Sequence, residues 1–244
     1  MILGCDISAY QCDVDFARMK EAGAKFVICR KQIGYYGDLR FFEYMAGAKE
    51  AGLKFGAYGV PFVGYDITRQ YAKFIEGIQP EDLDFPPFPD IERRHTCTKS
   101  KAIGDVLSYM FKLKDWWGDC VPYTAKYIWE EMYCTKRGWI NDWELFVANY
   151  TSSQQPRYIP VGWEYRLDDT PVPVEDSWQI WQFSADGNCR GAEFGVSSKD
   201  IDLDLMQEEF FNKHTGGTVQ PVLYKAVLDF PKEADVVEIT LRRT

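Results

Sequence analysis

Asp90 and Glu92 stand two residues apart in Phe88-Pro89-Asp90-Ile91-Glu92. On an extended strand that spacing puts both side chains on the same side. Two carboxyls held close together do not ionise independently, and the pKa of one is raised. A carboxyl with a raised pKa keeps a proton near neutral pH and can hand it to a leaving group. Its ionised neighbour can stabilise positive charge developing at the bond being broken. Two carboxyls dividing the work in this way suit glycoside cleavage. The plainer reading of the pair is a solvated strand end, or a cap for the next helix. Asp6, in Asp6-Ile7-Ser8, is a third acid at a strand end.

Aromatic residues fall beside these acids. Tyr10, Tyr58, Tyr123, Tyr150 and Trp181 lie at or just after the ends of expected strands, and Asn149 precedes Tyr150. Sugar rings present apolar C–H faces that Tyr and Trp can wall, while polar neighbours bind the hydroxyls. Each of these residues, taken singly, also fits core or rim packing. Other chemistries lack their residues. The two histidines, His95 and His214, form no HExxH and no Cys/His cluster, so neither a metal nor a cofactor is expected. His95 reads as a loop residue. No G-x-S-x-G is present, which argues against a serine hydrolase.

The acids and aromatics need elements to hold them. Apolar runs at Ile2 to Ile7, Lys25 to Ile33, Lys54 to Val60, Phe88 to Glu92 and Val121 to Tyr127 read as strands. Helical spacing fills the gaps. One helix opens at Asp13-Val14-Asp15 and stops at Gly23; others span Phe41 to Ala51, Thr68 to Ile78 and Ser100 to Trp116, and a short one ends at Met132. Alternation of this kind implies a parallel sheet, because parallel neighbours need crossover connections. The second half changes character. Leu145 to Tyr150 and Ser177 to Phe183 read as strands around a Pro-rich polar segment, and a last helix is expected over Leu203 to Lys213. The strand count suits an α/β fold of the TIM-like (β/α) barrel type, whose active sites lie at the C-terminal ends of the strands. An open doubly wound sheet is the alternative. No G-x-G-x-x-G follows the first strand, which weakens a dinucleotide-binding version of it.

Composition sets the outer limits. The chain has 244 residues, 37 acidic against 28 basic side chains, and a net charge of −9. The hydrophobic fraction of 46% supports a packed core and excludes disorder. Nucleic acid is not an expected partner, because binding it needs clustered Lys and Arg. No run is apolar enough for membrane insertion. Met1 to Asp6 shows no basic region and no long apolar run, so no secretory signal is expected. The 7 cysteines, an odd number without CxxC, read as reduced thiols of a protein made in a cytoplasm.

The order of the motifs resembles the glycoside hydrolase family 25 lysozymes, the Chalaropsis-type muramidases. Gly4-Cys5-Asp6-Ile7-Ser8-Ala9-Tyr10-Gln11 is similar to the family's opening G-x-D-[VI]-S-x-[WY]-Q, and Asp13-Val14-Asp15-Phe16 to the D-[VI]-[DN]-[FW] that follows. Asp90-Ile91-Glu92 is similar to D-[VIL]-E, and Phe146-Val147-Ala148-Asn149-Tyr150 to W-[VI]-A-x-Y. Trp178 to Ser184 resembles the W-Q-[YF]-[ST] strand, and Ile201-Asp202-Leu203-Asp204 the closing V-D-x-N.

The resemblance implies an irregular barrel, with five βα units followed by strands lacking regular helices. It implies hydrolysis of the β-1,4 bond between N-acetylmuramic acid and N-acetylglucosamine in peptidoglycan, with glycan strands as the partner. It carries the acidic site onto Glu92 as general acid/base and Asp90 as the residue assisting the 2-acetamido group or stabilising the oxocarbenium-like centre. Asp6 and Asp202 match acids that line the site and tune its charge. Retention by substrate assistance is implied, an exception to the two-carboxylate scheme.

Two positions depart from the pattern. Tyr58-Gly59-Val60-Pro61-Phe62 lacks the His of Y-H-[FY], and Asp204 replaces the closing Asn. A phage or prophage endolysin, released onto the wall by a separate pore protein, is the expected setting. A catalytically weak wall-binding or virion module, or a glycosidase for another amino sugar polymer, are the alternatives.

The barrel is expected over residues 1–213, with a linker and β-hairpin over 214–244. In the tail, Tyr224, Ala226, Leu228 and Phe230 alternate with polar residues, as do Val237, Ile239 and Leu241. An isolated hairpin is marginal in water. Docking on the barrel or self-association is therefore expected of it.

Overall fold

A computed structural model describes residues 1–133, 142–150, 157–159, 162–164, 178–185, 189–216, 225–226 and 239–240. In chain order, β1 (Ile2–Ile7) leads through a 3-10 turn at Ala9–Gln11 to α1 (Phe16–Glu21). Next come β2 (Phe26–Ile33), β3 (Tyr36–Gly37), α2 (Phe41–Ala51), β4 (Lys54–Val60) and α3 (Ile67–Ile75). Then follow β5 (Phe88–Pro89), α4 (Lys99–Trp117), β6 (Tyr123–Ala125) and α5 (Lys126–Ile128), which runs into a π turn at Trp129–Tyr133. The rest comprises β7 (Leu145–Ala148), β8 (Arg157–Ile159), β9 (Gly162–Glu164), β10 (Trp178–Ser184), β11 (Asp202–Met206), α6 (Glu208–Thr215), β12 (Lys225–Ala226) and β13 (Ile239–Thr240).

The helices begin and end for local reasons. Asp15, Asp66 and Thr98 cap α1, α3 and α4, each side-chain oxygen accepting from a backbone N–H three residues on. Gly52, with φ of 71°, closes α2 in the left-handed region that glycine enters without strain. α4 buries Ala102, Val106, Tyr109, Met110 and Leu113, a stripe at helical spacing. β2 is buried on both faces over Phe26-Val27-Ile28-Cys29, as befits a parallel strand under a helical layer.

The strands run in the order β5-β4-β2-β1-β11-β10-β7-β6, with β3 paired to β2. A parallel bridge between Asp90 and Tyr123 links the two ends of that order. Eight strands therefore curl into a nearly closed barrel, the expected distorted (β/α) fold. Among the described residues no α-helix follows α5 until α6, in keeping with the change of character in the sequence. One strand corrects the sequence reading. The expected helix over Leu203 to Lys213 divides into β11, antiparallel to both β1 and β10, and α6. Leu203, Met206 and Phe210 have helical spacing, but Asp202 and Asp204 share one face of a strand and point into the barrel. α6 also runs two residues past the Lys213 boundary. His214 packs between Trp117 and Phe210, with ring centroids at 5.6 and 4.5 Å.

Alternation sends one set of side chains inward and the other toward the helices. The inward set includes Gly4 and Asp6 on β1, Tyr58 on β4, Tyr123 on β6 and Gln182 on β10. Gly4, facing inward, must be small: a Cβ there would lie 2.4 Å from the Phe26 ring. The described cysteines, six of the seven, are all free thiols. No described helix is long and apolar enough to cross a membrane. In the tail, Lys225 pairs with Thr240 and Ala226 with Ile239 in antiparallel register. Tyr224, Leu228, Phe230, Val237 and Leu241 lie outside the described residues.

Candidate active site

The C-terminal ends of the parallel strands open on one pocket. It encloses about 250 Å³ and is lined by Asp6, Tyr58, Asp90, Glu92, Tyr123, Phe146, Tyr150, Gln182, Ala185 and Asp202. Four acids singled out in the sequence therefore meet, although they come from β1, the end of β5 and β11. The register explains the meeting. Asp6 pairs directly with Asp202 across β1 and β11, and Asp90 pairs with Tyr123 where the barrel closes. The Glu92 N–H donates to Asp90 Oδ1 at 3.2 Å, so the chain turns tightly over the pair.

Gln182 organises the floor. Its Nε2 donates to Asp6 Oδ2 at 2.7 Å. Its Oε1 accepts from the Tyr123 and Tyr150 hydroxyls, each at 2.9 Å. One amide thus fixes an acid and two phenols, and the three bonds fix its own orientation.

Burial and mutual repulsion set the charges. Asp6 is pushed up to about 7, first by burial, and the Gln182 bond and contact with Asp204 only partly offset this. Burial, then the charge of Glu92, holds Asp90 well above the ordinary carboxylate range, with Arg30 pulling the other way. Glu92 is half-buried and is also raised, first by burial, against the pull of the Tyr123 hydroxyl and Arg93. The site therefore retains protons near neutral pH, as an acid donating to a leaving group requires.

Asp204 lies beneath them, opposite Gly4 and Gln182 in the sheet. It is 0% exposed, and among the described residues no donor reaches either carboxyl oxygen. Burial and the charges of Asp6 and Asp202 raise its pKa strongly. A buried carboxylate with no donor is costly, which favours the protonated form of Asp204, a form able to donate to Asp6. The neutral acid then does what an Asn side chain would do there.

The aromatic expectations divide. Tyr58, Tyr123 and Tyr150 line the pocket. Tyr10, Asn149 and Trp181 do not. Tyr10 is 72% exposed on the turn after β1. Trp181 is 0% exposed, and its Nε1–H donates to the Asn149 carbonyl at 2.8 Å. The stacking wall expected of Trp181 is thus corrected to a packing role. One residue along a strand changes face, and it is Gln182, not Trp181, that faces inward. Parity with Ile180 was the available signal for Gln182; Phe146 was equally readable from its alternation with Ala148. Asp204 carried a different signal, as an acid two residues from Asp202. Among the described residues no group of three or more His, Cys, Asp and Glu side chains is arranged to hold a metal ion.

The profile of Glycosyl hydrolases family 25 matches residues 5–192. An autolytic lysozyme of Clostridium acetobutylicum is 26% identical over 218 residues, 88% of this chain and 58% of the relative. The chain therefore spans a little over half the length of that relative. A family 25 glycosyl hydrolase from Bacillus anthracis superposes with a TM-score of 0.69 at 19% identity, covering 88% of this chain and 94% of that one. The catalytic domain of endolysin ply40, from bacteriophage P40 of Listeria monocytogenes, superposes with a TM-score of 0.66 at 18% identity, covering 89% and 98%. These two likenesses show a shared fold.

Proposed function

The chain belongs to the glycosyl hydrolases family 25, and from that premise we propose that it is a muramidase. It cleaves the β-1,4 bond between N-acetylmuramic acid and N-acetylglucosamine in peptidoglycan. The observation that carries this reading is the convergence of Asp6, Asp90, Glu92 and Asp202 with three tyrosines in one pocket at the barrel mouth.

In this reading Glu92 gives its proton to the glycosidic oxygen as the bond to C1 breaks. The 2-acetamido carbonyl oxygen closes on C1 from the other face, and the acetamido N–H is held by Asp90. Water then opens the ring, and the Glu92 carboxylate takes up the water's proton, so the acid is restored. Asp6 and Asp202 set the field around C1, and Tyr58, Tyr123 and Tyr150 wall the sugar. The expected configuration is retained, by substrate assistance.

Glu92→Gln tests the assignment. Turbidity loss of purified walls is expected to slow by about 2 to 4 orders of magnitude. A variant lysing as fast as the parent would remove Glu92 from the role. Mass spectrometry of the released muropeptides separates muramidase products from those of any other amino sugar hydrolase.

The cell wall is the proposed place of action, as for a phage or prophage endolysin admitted by a separate pore protein. Cells making the chain should stay intact until their membrane is permeabilised, and lysis without permeabilisation would oppose this. The β12–β13 hairpin is proposed to dock on the barrel or to self-associate. Sedimentation and melting of the full chain against one ending at Gly216 test it, and identical monomer mass and melting would remove both ideas.

A further inference from the structure

Beside the pocket, the loops after three neighbouring strands carry a strip of stacked rings and cations. Arg93 directly follows Glu92, and its guanidinium lies 4.4 Å from the Phe62 ring centroid. Phe62 meets Tyr65 edge-on at 6.5 Å, and Tyr65 meets Tyr35 in the same way at 6.5 Å. Arg69 then covers Tyr35 at 4.7 Å. Arg93 follows β5, Phe62 and Tyr65 follow β4, and Tyr35 follows β2, and these strands are adjacent in the order β5-β4-β2. The strip therefore leaves the catalytic acid and runs sideways along the rim.

It is a built surface. Gln70, fully buried, clamps the Phe62 backbone from both sides, accepting from its N–H at 2.6 Å and donating to its carbonyl at 3.0 Å. The Tyr35 hydroxyl accepts from the Asp66 N–H at 3.0 Å, and the Gly64 N–H donates to Asp105. Tyr65 is nevertheless 62% exposed.

Two of its cations also lack a salt-bridge partner among the described residues. Arg94 is paired with Glu131, but neither Arg69 nor Arg93 forms an ion pair among the described residues. In a chain of net charge −9, two such guanidiniums on one strip call for a partner. A guanidinium lying on a ring is held in place while its edge N–H groups remain free for a carboxylate. Any ionised acid in the pocket disfavours an anion there, and these cations offer an anionic part of a bound glycan a place to the side.

We propose that this strip binds the carboxylate-bearing peptide stems attached to a glycan strand seated in the pocket. The proposal rests on the peptidoglycan reading above. The rings pack against the stem's apolar backbone and side chains, and Arg69 and Arg93 bind its carboxylates.

The test uses the full chain, with an Arg69→Gln/Arg93→Gln double variant and a separate Tyr65→Ala variant, each first checked for parental melting. Soluble glycan strands with stems are compared with the same strands stripped of peptide by an amidase. The double variant is expected to raise KM on stem-bearing strands about tenfold more than on stripped strands, as two partly exposed charge contacts should. Tyr65→Ala should act in the same direction. The parent's preference for stems should shrink as salt is added.

Equal changes on both substrates, or none, would overturn the proposal. So would equal competition by a phosphate-bearing wall polymer free of peptide. If the parent cleaves neither substrate, it is the peptidoglycan reading that fails. The strip is then judged by fluorescence anisotropy of a labelled acidic stem peptide, which needs no turnover, and binding that the double variant leaves intact would refute it.

Discussion

Replacing Asp204 by Asn removes one buried proton-binding group and keeps the shape. In the parent, the folded chain holds a proton on Asp204 that the unfolded chain releases near the ordinary value of 3.8. Folding then takes up a proton above that pH, so this group's contribution is fully present in acid and is lost as pH rises. Each unit costs about 1.4 kcal/mol per proton held. The Asn variant holds no such proton, and its amide donates to Asp6 at every pH. Its stability relative to the parent should therefore climb as pH rises above 3.8, by up to about 1.4 kcal/mol per pH unit for as long as the folded parent keeps the proton. Asp6, pushed up to about 7 chiefly by burial, keeps a hydrogen-bond donor in the variant, so its own contribution should change little. Urea unfolding of both proteins at pH 5, 6 and 7 measures this directly. Wall lysis by the variant should also persist to higher pH, because a second negative charge never forms beneath Asp6. Parallel stability lines for the two proteins would refute the protonated Asp204, and so would a variant that loses ground as pH rises.

Gln182→Leu strips Asp6 of the amide donor and leaves the Tyr123 and Tyr150 hydroxyls without their shared acceptor. Stability is expected to fall by about 1 to 3 kcal/mol in urea unfolding, and the acidic limb of the pH–rate profile should move upward as Asp6 gains its proton more readily. Gly4→Ala would place a methyl 2.4 Å from Phe26 in the barrel interior. Overpacking of that kind costs about 1 to 3 kcal/mol, seen as a lowered melting temperature, and a simultaneous Phe26→Leu change should recover part of it.

Much of the site was legible because its acids sit at strand ends. Asp6, Asp90 and Glu92 announce themselves by type and position, and the barrel rule says that strand ends gather at one mouth. Asp202 is harder. Its segment has hydrophobic spacing that also fits a helix, and resemblance to the family, rather than periodicity, marks it as a site residue. Trp181 shows the opposite failure. Its type suggests a sugar wall, but the face of a strand residue depends on register, and a shift of one residue exchanges Trp181 for Gln182.

By itself, the sequence determined the alternation of strands and helices, the acids available for chemistry, and the absence of the residues a serine hydrolase or a HExxH zinc site needs. Those are local properties, written in spacing and side-chain type. The tertiary structure alone decided that β11 runs antiparallel between β1 and β10, that Gln182 ties Asp6 to two tyrosines, and that Asp204 has no donor for its oxygens among the described residues. Each of these depends on which distant strands become neighbours. A carboxyl's charge is set by the water and the groups around it, and only the closed barrel brings those groups together and excludes the water.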